Sequence, residues 1–172
     1  MNNLYLLLKL FLYVGIFIIG SNAYAENETI TLPNTQEQRT IKSWPLTLLE
    51  LEKSLSVVNT FLYQWDDNLE SPGWDLMSEL ITDKYTKDDW NTVFDQVTIQ
   101  YGKRLDAEFN RAFKTDSLPS GINGDIAIII LLTNFEKLKA NEKLAESITL
   151  IKESGSWRLA SYNYQLITIN RQ

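Results

Sequence analysis

Residues 154–165 read SGSWRLASYNYQ, and this stretch decides how the last part of the chain folds. Ser154 and Gly155 predict a tight turn, because glycine adopts positive φ angles without steric cost. The residues after the turn follow a strand period, in which successive side chains point to opposite faces. One face would carry Trp157 and Leu159, and the other would carry Arg158, Ala160, Tyr162 and Tyr164. We interpret four residues as a structural signature whose aromatic rings pack a core: Gly155, Trp157, Arg158 and Tyr162.

Three further strand segments precede this hairpin. RLDAEFNRAFKT (104–115) alternates in polarity, and LAESITLIKE (144–153) continues the pattern. IAIIILLTNFEKL (126–138) is apolar throughout its first half, which is typical of a central strand covered on both faces. Asn, Gly and Ser residues between the segments suit turns. The second half of the chain therefore predicts a four-stranded antiparallel meander.

Residues 44–69 have the period of an amphipathic helix. Ser43 is positioned to cap the start, Pro45 is tolerated in the first turn, and Pro72-Gly73 would end the helix. The alternating spacing of four and three lines eight apolar residues along one face: Trp44, Leu48, Leu51, Leu55, Val58, Leu62, Trp65 and Leu69. Such a stripe also occurs in coiled coils. Because it covers little more than three heptads, we interpret it as a face that packs on the core.

Two shorter helices are predicted before the strands. Residues 73–85 form the first, and residues after Thr86 form the second. Thr86 with Asp89 three positions later is a capping box, and Gly102 is a natural stop. One face of this helix would be apolar and would carry Trp90, Val93, Phe94 and Val97. Helices followed by an antiparallel meander define an α+β fold, with N-terminal helices, one of them long, packed against the sheet.

The first 25 residues, MNNLYLLLKLFLYVGIFIIGSNAYA, have the layout of a secretory signal peptide. A short apolar run leads to an A-Y-A cleavage site that ends at Ala25. The alternative is an uncleaved membrane anchor, but a span needs about 20 apolar residues. We therefore expect export to the periplasm or extracellular space, with no membrane attachment after cleavage. A flexible lead-in at 26–43 and a single α+β domain at 44–172 would follow.

Composition excludes several classes of chemistry. The chain has no Cys and no His, so zinc sites, Ser-His-Asp triads and Cys-His pairs cannot be built. Residues 44–99 carry eleven acidic and three basic side chains, a net charge of −8, and residues 100–172 carry eight and ten, a net charge of +2. This balance argues against nucleic acid as a partner, because phosphates require a basic surface.

The acidic doublets do not make a convincing metal site. Asp66-Asp67 lies at the end of a predicted helix, and Asp88-Asp89 belongs to a cap. The chain also lacks a glycine-rich phosphate loop and a nucleophile elbow. We expect no metal and no cofactor.

Several motifs occur in the order found in a known family. GSWRLASY resembles a closing G-x-W-R-V-x-G-Y strand, LPSGINGDIAIIILLTNF resembles a Pro/Gly loop with an apolar strand, and ESITLIKESG, KDDW and QYG match further pieces. Over residues 55–166 the chain resembles the bacterial exported domain of unknown function 4019 family. That resemblance implies a nuclear transport factor 2-like (cystatin-like) fold, a curved sheet wrapped round a long helix, often with a pocket between them.

The chain departs from the family pattern at two positions. Ser161 stands where the family has a glycine before the final tyrosine, and Thr98 stands where an arginine is expected. If that arginine serves a site in the family, the site is altered in this protein.

Two charged residues break the strand alternation and mark a candidate site. Arg111 falls in the register of Phe109 and Phe113, and Glu146 falls in the register of Leu144 and Ile148. A charge on an apolar face needs a partner or a polar pocket. The site hypothesis pairs the two and adds tyrosines as a ligand-binding pocket floor: Arg111, Glu146, Tyr162 and Tyr164. The alternative is a β-bulge near Asn110 and an edge position for Glu146, which would turn both charges to solvent.

These features favour a non-enzymatic exported domain that binds a protein partner or a small apolar ligand. One alternative is a His-free pocket enzyme of isomerase or hydrolyase type, with Glu146 and a tyrosine as acid and base. A second alternative is an adaptor that forms a homodimer through the outer face of the sheet.

Overall fold

The computed structural model describes residues 17–18, 27–31 and 38–169, with side chains from residue 41 onward. Its helices are α1 (Leu48–Asp66), α2 (Glu79–Thr82) and α3 (Lys87–Tyr101), with a 3-10 turn at Trp74–Leu76. Its strands are β1 (Phe17–Ile18), β2 (Asn27–Thr31), β3 (Gln38–Lys42), β4 (Arg104–Ser117), β5 (Asn123–Phe135), β6 (Glu142–Glu153) and β7 (Ser156–Thr168).

Strands β4 to β7 form an antiparallel sheet in sequence order. One face, here called the inner face, packs against α1 and α3 and carries Ile129, Leu131 and Ile148. The opposite, outer face carries Ile126, Ile128 and Ile151, which cluster with Ile41 from β3. The helices therefore lie on the inner face, and the predicted α+β architecture is confirmed.

Helix α1 begins four residues later than predicted. Thr47, not Ser43, is the N-cap, and its hydroxyl and the Glu50 carboxylate form a complete capping box. Trp44 instead makes an antiparallel bridge to Lys114 of β4. The chain before α1 is therefore extended, because its backbone hydrogen bonds go to the sheet edge.

The buried stripe of α1 is rotated relative to the predicted one. Its buried residues are Ser54, Val58, Phe61 and Trp65. Leu48 is 82 % exposed and Leu69 is 48 % exposed, so two residues near the ends of the predicted stripe lie in solvent. Phe61 was outside the predicted face, yet it is fully buried at the centre of the aromatic core.

The segment after α1 is less helical than predicted. Residues 73–85 contain only the 3-10 turn and the four-residue α2, because Met77 forms a parallel bridge with Leu159 at the edge of β7. Helix α3 follows the prediction closely. Thr86 and Asp89 form the capping box, the four expected side chains are buried, and Gly102 ends the helix with φ +82°.

The hairpin between β6 and β7 has a two-residue turn. Ser154 and Gly155 both have positive φ, and Glu153 pairs with Ser156. This is the geometry of a type I′ turn, which matches the twist of the strands. The turn predicted from the opening stretch is therefore present.

The predicted alternation along β7 is wrong in one respect. The register shifts between Thr149–Ser161 and Leu150–Leu159, so Ala160 forms a bulge. A bulge inserts one residue and reverses the faces beyond it. Trp157, Leu159 and Tyr162 consequently share the inner core, whereas the sequence had placed the tryptophan and the tyrosine on opposite faces.

The N-terminal region contains more regular structure than expected. Strands β1, β2 and β3 form a small antiparallel sheet, and two of them lie within the expected flexible lead-in at 26–43. The predicted cleavage residue Ala25 lies outside the described residues. In the part of the chain that the structure describes, no helix is long and apolar enough to cross a membrane.

Candidate functional site

Glu146 is a fully buried carboxylate in the middle of an interior strand. It lies on β6 opposite Leu131 of β5 and Tyr164 of β7, on the inner face. Three side chains donate hydrogen bonds to it. Tyr162 and Arg104 do so at 2.5 Å and 3.1 Å, and the Thr133 hydroxyl supplies the third. The buried charge is therefore paired and hydrogen-bonded, as burial requires.

Arg104 connects this carboxylate to the end of helix α1. Its guanidinium donates to Glu146 at 3.1 Å and to Asp66 at 2.7 Å, and its side chain is 3 % exposed. The guanidinium also lies 4.2 Å from the centroid of the Trp65 ring. We call Arg104, Glu146, Tyr162, Thr133 and Asp66 the ionic cluster. It ties α1 to all four strands of the sheet.

Burial and charge set the protonation of the ionic cluster. Burial raises the pKa of the Tyr162 phenol well above its usual value, and the Glu146 carboxylate adds to this effect, so the phenol remains a donor. Burial alone would lower the pKa of Arg104, but Glu146, Tyr162 and Asp66 raise it above its usual value. Burial also raises the pKa of Asp66, against the opposing effect of Arg104.

The predicted pair of Arg111 and Glu146 is not formed. Asn110 sits at a register shift, and beyond it Arg111 pairs with Ile130, a residue of the outer-face cluster. The bulge near Asn110 is present, as the alternative predicted, but Arg111 is half-buried on the outer face and does not extend into solvent. The edge position proposed for Glu146 is wrong, because β6 is an interior strand.

Arg104 was missed because a second bulge hides it. Alternation from Leu105 places residue 104 on the polar face, but the register shifts between Arg104 and Asp106. Arg104 pairs with the buried Phe135 and so joins the inner face. The sequence offered one signal, an arginine two positions after the Gly102 helix stop.

The remaining predicted residues are placed as follows. Tyr162 lies in the ionic cluster, and half-buried Tyr164 packs edge-on against Tyr101 at 5.9 Å. Burial raises the pKa of Tyr164. Trp157 is buried in the main core, and Arg158 reaches the backbone carbonyl of Asp75.

A groove of about 380 Å³ opens beside the ionic cluster. It runs between the loop that follows α1 and one side of α3, and eleven residues line it: Trp65, Asn68, Leu69, Glu70, Ser71, Pro72, Asn91, Phe94, Asp95, Thr98 and Ile99. A smaller pocket of about 70 Å³ adjoins it and reaches Arg104. The two share Trp65, Asn68 and Thr98, so the groove continues to the edge of the ionic cluster.

The loop that forms one wall of the groove is held in an unusual conformation. Asn68 and Ser71 have positive φ angles of 54° and 56°. The Asn91 side-chain amide of α3 donates to the Ser71 hydroxyl, and the Trp90 indole donates to the carbonyl of Pro72. Left-handed backbone at residues other than glycine persists only where surrounding contacts enforce it, and it clusters at functional sites.

No metal site accompanies the groove in the part of the chain that is described. Among those residues, no group of three His, Cys, Asp or Glu side chains is placed to hold an ion. Asp89 is used in the α3 cap, and Asp66 is bound to Arg104.

The fold and the site together define an α+β domain with a buried ionic cluster beside an open groove. Comparison with family models matches residues 58–162 to the family described as Protein of unknown function (DUF4019). The chain belongs to this family, so the resemblance drawn from its motifs is confirmed. Thr98, one of the two departures from the family pattern, lies where the groove and the smaller pocket meet.

Among solved structures, the chain is similar to the structure of a protein of bacterial origin. It is the crystal structure of an NTF-2 like protein of unknown function from Silicibacter pomeroyi DSS-3, with 12 % identity and a TM-score of 0.45. The match covers 71 % of this chain and 100 % of the other. The search of curated proteins found no match.

Proposed function

We propose that this chain is an exported, non-enzymatic binding domain that holds a segment of a protein partner in the groove between the α1 loop and α3. The observation that carries the proposal is the groove itself, about 380 Å³ in volume. Its volume falls in the range of about 300–1,000 Å³ in which ligand sites occur. Its walls combine apolar rings with a few polar groups, as binding sites do.

The space between helices and sheet leaves little room for the small apolar ligand considered as the other occupant. Phe61, Trp65, Phe94 and Tyr162 pack against one another there, with ring centroids 4.6 to 6.0 Å apart. The adjoining pocket of about 70 Å³ is far smaller than the range of about 300–1,000 Å³ in which ligand sites occur. A partner that lies along the open groove is therefore favoured.

The ionic cluster supports a structural role better than a catalytic one. Glu146 is wholly buried and accepts three hydrogen bonds, so a substrate would have to displace an existing partner to reach it. Arg104 holds α1 against the sheet through Asp66 and Glu146. Both contacts position Trp65, which lines the groove.

Photo-crosslinking in the native host tests the proposal. The crosslinking amino acid p-benzoylphenylalanine would replace Ile99, which lines the groove and is 74 % exposed. The matched control replaces Leu48, which is 82 % exposed at the N-terminal end of α1, away from the groove. We expect a discrete protein adduct from position 99 and none from position 48. Equal adducts from both positions, or none from position 99, would contradict the proposal.

A further inference from the structure

We infer that the segment held in the groove is basic, with lysine or arginine side chains flanked by apolar residues. This inference rests on the proposed function and specifies the chemistry of the partner. It combines two independent features of the groove, namely its carboxylates and its apolar rim.

Two carboxylates at the groove are free to meet a cation. Glu70 lies on the loop wall and Asp95 on the α3 wall, and both are exposed. Within the described part of the chain, neither has a salt-bridge partner. A third carboxylate, Asp66, lies at the adjoining pocket, but Arg104 already pairs with it. The groove therefore presents unneutralised negative charge from both of its walls.

The charge of the surrounding region adds to the negative charge of the groove. Residues 44–99, which include both walls, carry a net charge of −8. Surface charge of one sign attracts partners of the opposite sign and repels partners of the same sign. Lys103 lines the adjoining pocket and Lys137 donates to the Ile99 carbonyl at 2.7 Å, but among the described residues neither forms a salt bridge with Glu70 or Asp95.

Ammonium and guanidinium groups carry only hydrogen-bond donors, so they match two carboxylates, which only accept.

The apolar part of the groove suits the stems of the same side chains. Leu69 is 48 % exposed and Ile99 is 74 % exposed, and both line the groove together with the rings of Trp65 and Phe94. Lysine and arginine bury their methylene stems on apolar surface and keep the charged head in a polar environment. A basic segment with leucine-like neighbours would therefore cover the rim and meet the carboxylates.

Peptide titrations followed by NMR test this inference. The ¹⁵N-labelled protein would be titrated with three matched probes: acetyl-KLKGKLK-amide, the same peptide with glutamine for lysine, and the same peptide with glutamate for lysine. We expect the lysine peptide to shift the amides of residues 68–71 and 91–99. It should bind about fivefold more tightly than the glutamine peptide, in keeping with two solvent-exposed ion pairs. The glutamate peptide should cause no shifts in the groove.

Charge-matched variants distinguish the effect of the groove carboxylates from that of the overall negative charge of the surface. Glu70→Gln with Asp95→Asn should weaken binding of the lysine peptide about fivefold. Glu52→Gln with Asp83→Asn removes the same net charge from exposed positions outside the groove and should leave binding unchanged. Equal weakening by both pairs, or shifts that map elsewhere, would overturn the inference.

The outcomes also distinguish this inference from the proposed function. If position 99 crosslinks to a partner, two peptide results would show that the groove binds without basic specificity. Either the glutamine or glutamate peptide binds as well as the lysine peptide, or no peptide binds. Only the inference about charge then fails. If none of the peptides shifts the groove and position 99 gives no adduct, both conclusions fail.

Discussion

Individual residues at the ionic cluster decide how the helices are fixed to the sheet. The side chains of Glu146 and Arg104 are almost completely buried, and each neutralises the charge of the other. Breaking a buried pair by removing one partner costs about 3–5 kcal/mol, because the remaining charge is left uncompensated. The pair is therefore a requirement for the local arrangement, whatever its net contribution to stability.

A double-mutant cycle on this pair is the first prediction. Arg104→Met should lower the free energy of unfolding by about 3–5 kcal/mol, and Glu146→Leu should also lower it. The double variant should be less destabilised than the sum of the two, because no unpaired charge remains. Urea unfolding measures all four proteins. We expect a coupling energy of about 2 kcal/mol or more.

The control for that cycle is an ion pair at the surface. Lys143 lies 3.1 Å from Glu108, whose side chain is 69 % exposed. Exposed pairs contribute about 0–1 kcal/mol, so this cycle should show weak coupling. Equal coupling in the two cycles would contradict the role assigned to burial.

Two glycines with similar positive φ angles provide the second prediction. Gly73 has φ +76° and Gly155 has φ +82°. A Cβ at Gly73 would lie 2.7 Å from Cδ2 of the buried Phe61 and 3.0 Å from Cδ2 of Leu159, whereas a Cβ at Gly155 would meet nothing within 4 Å. Gly155→Ala should cost about 1–2 kcal/mol for the left-handed conformation alone.

Gly73→Ala should cost more than that. The same conformational cost applies, and overpacking against a rigid ring adds about 1–3 kcal/mol. Thermal or urea unfolding of the two variants gives the difference directly. If both variants lose the same stability, the side chains of Phe61 and Leu159 move aside for the added Cβ more easily than their burial implies.

Single residues also explain where prediction of the site from sequence succeeded and failed. Glu146 was identified because β6 is regular, so its register can be counted from Leu144. Arg104 and Arg111 were misassigned because each lies next to a bulge in β4. Bulges reverse the alternation without leaving a reliable mark in the sequence, so counting fails beyond them.

At the scale of the element, the sequence predicts helix caps more reliably than it predicts which face of a helix is buried. The capping box of α3 was read correctly, and the box of α1 was present as T-L-L-E at 47–50 but was overlooked in favour of Ser43. The buried stripe of α1 was rotated because Leu48 and Leu69 are apolar yet exposed. Exposed leucines are common, so an apolar pattern alone does not identify which residues face the core.

The cap of α1 leads to the third prediction, which concerns pH. The carboxylate of Glu50 accepts from the Thr47 backbone amide at 2.8 Å and from Lys114 at 2.9 Å. These hydrogen bonds, the backbone one first, lower the pKa of Glu50 from 4.5 to about 2. A group whose pKa is lowered on folding stabilises the fold above its unfolded pKa, and this contribution is lost as the pH falls through its folded pKa.

Glu50→Gln should therefore lower the melting temperature at pH 7. The difference from the parent protein should shrink as the pH falls from 4.5 to about 2, the interval in which the parent loses the same contribution. Glu52→Gln, at an exposed position in the next turn, serves as the control and should leave the melting temperature unchanged. A difference that stays constant down to pH 2 would show that ionisation of Glu50 does not matter to the fold.

At the scale of the whole molecule, the sequence predicted the order of helices and strands better than any site. Periodicity gives element type, and short turns between successive strands give a meander with few alternatives. The groove could not be predicted, because it exists only where the loop after α1 is held against α3 by Ser71, Pro72 and their partners. Contacts between segments distant in sequence leave no periodic signal.

The last prediction concerns the mature protein as a unit. We expect the exported protein to begin at Glu26, because the apolar run and the A-Y-A motif at 23–25 fit cleavage after Ala25. Cleavage would remove β1 and leave every element from β2 onward, including all of α1, α3 and the four-stranded sheet. Intact-mass measurement of protein recovered from the exported fraction should give a chain that starts at Glu26. Replacing the small residues, with Ala23→Asp and Ala25→Asp, should block cleavage and retain the full mass. The prediction fails if the unaltered chain keeps residues before Ala25, since the segment would then act as an anchor or form part of the folded protein.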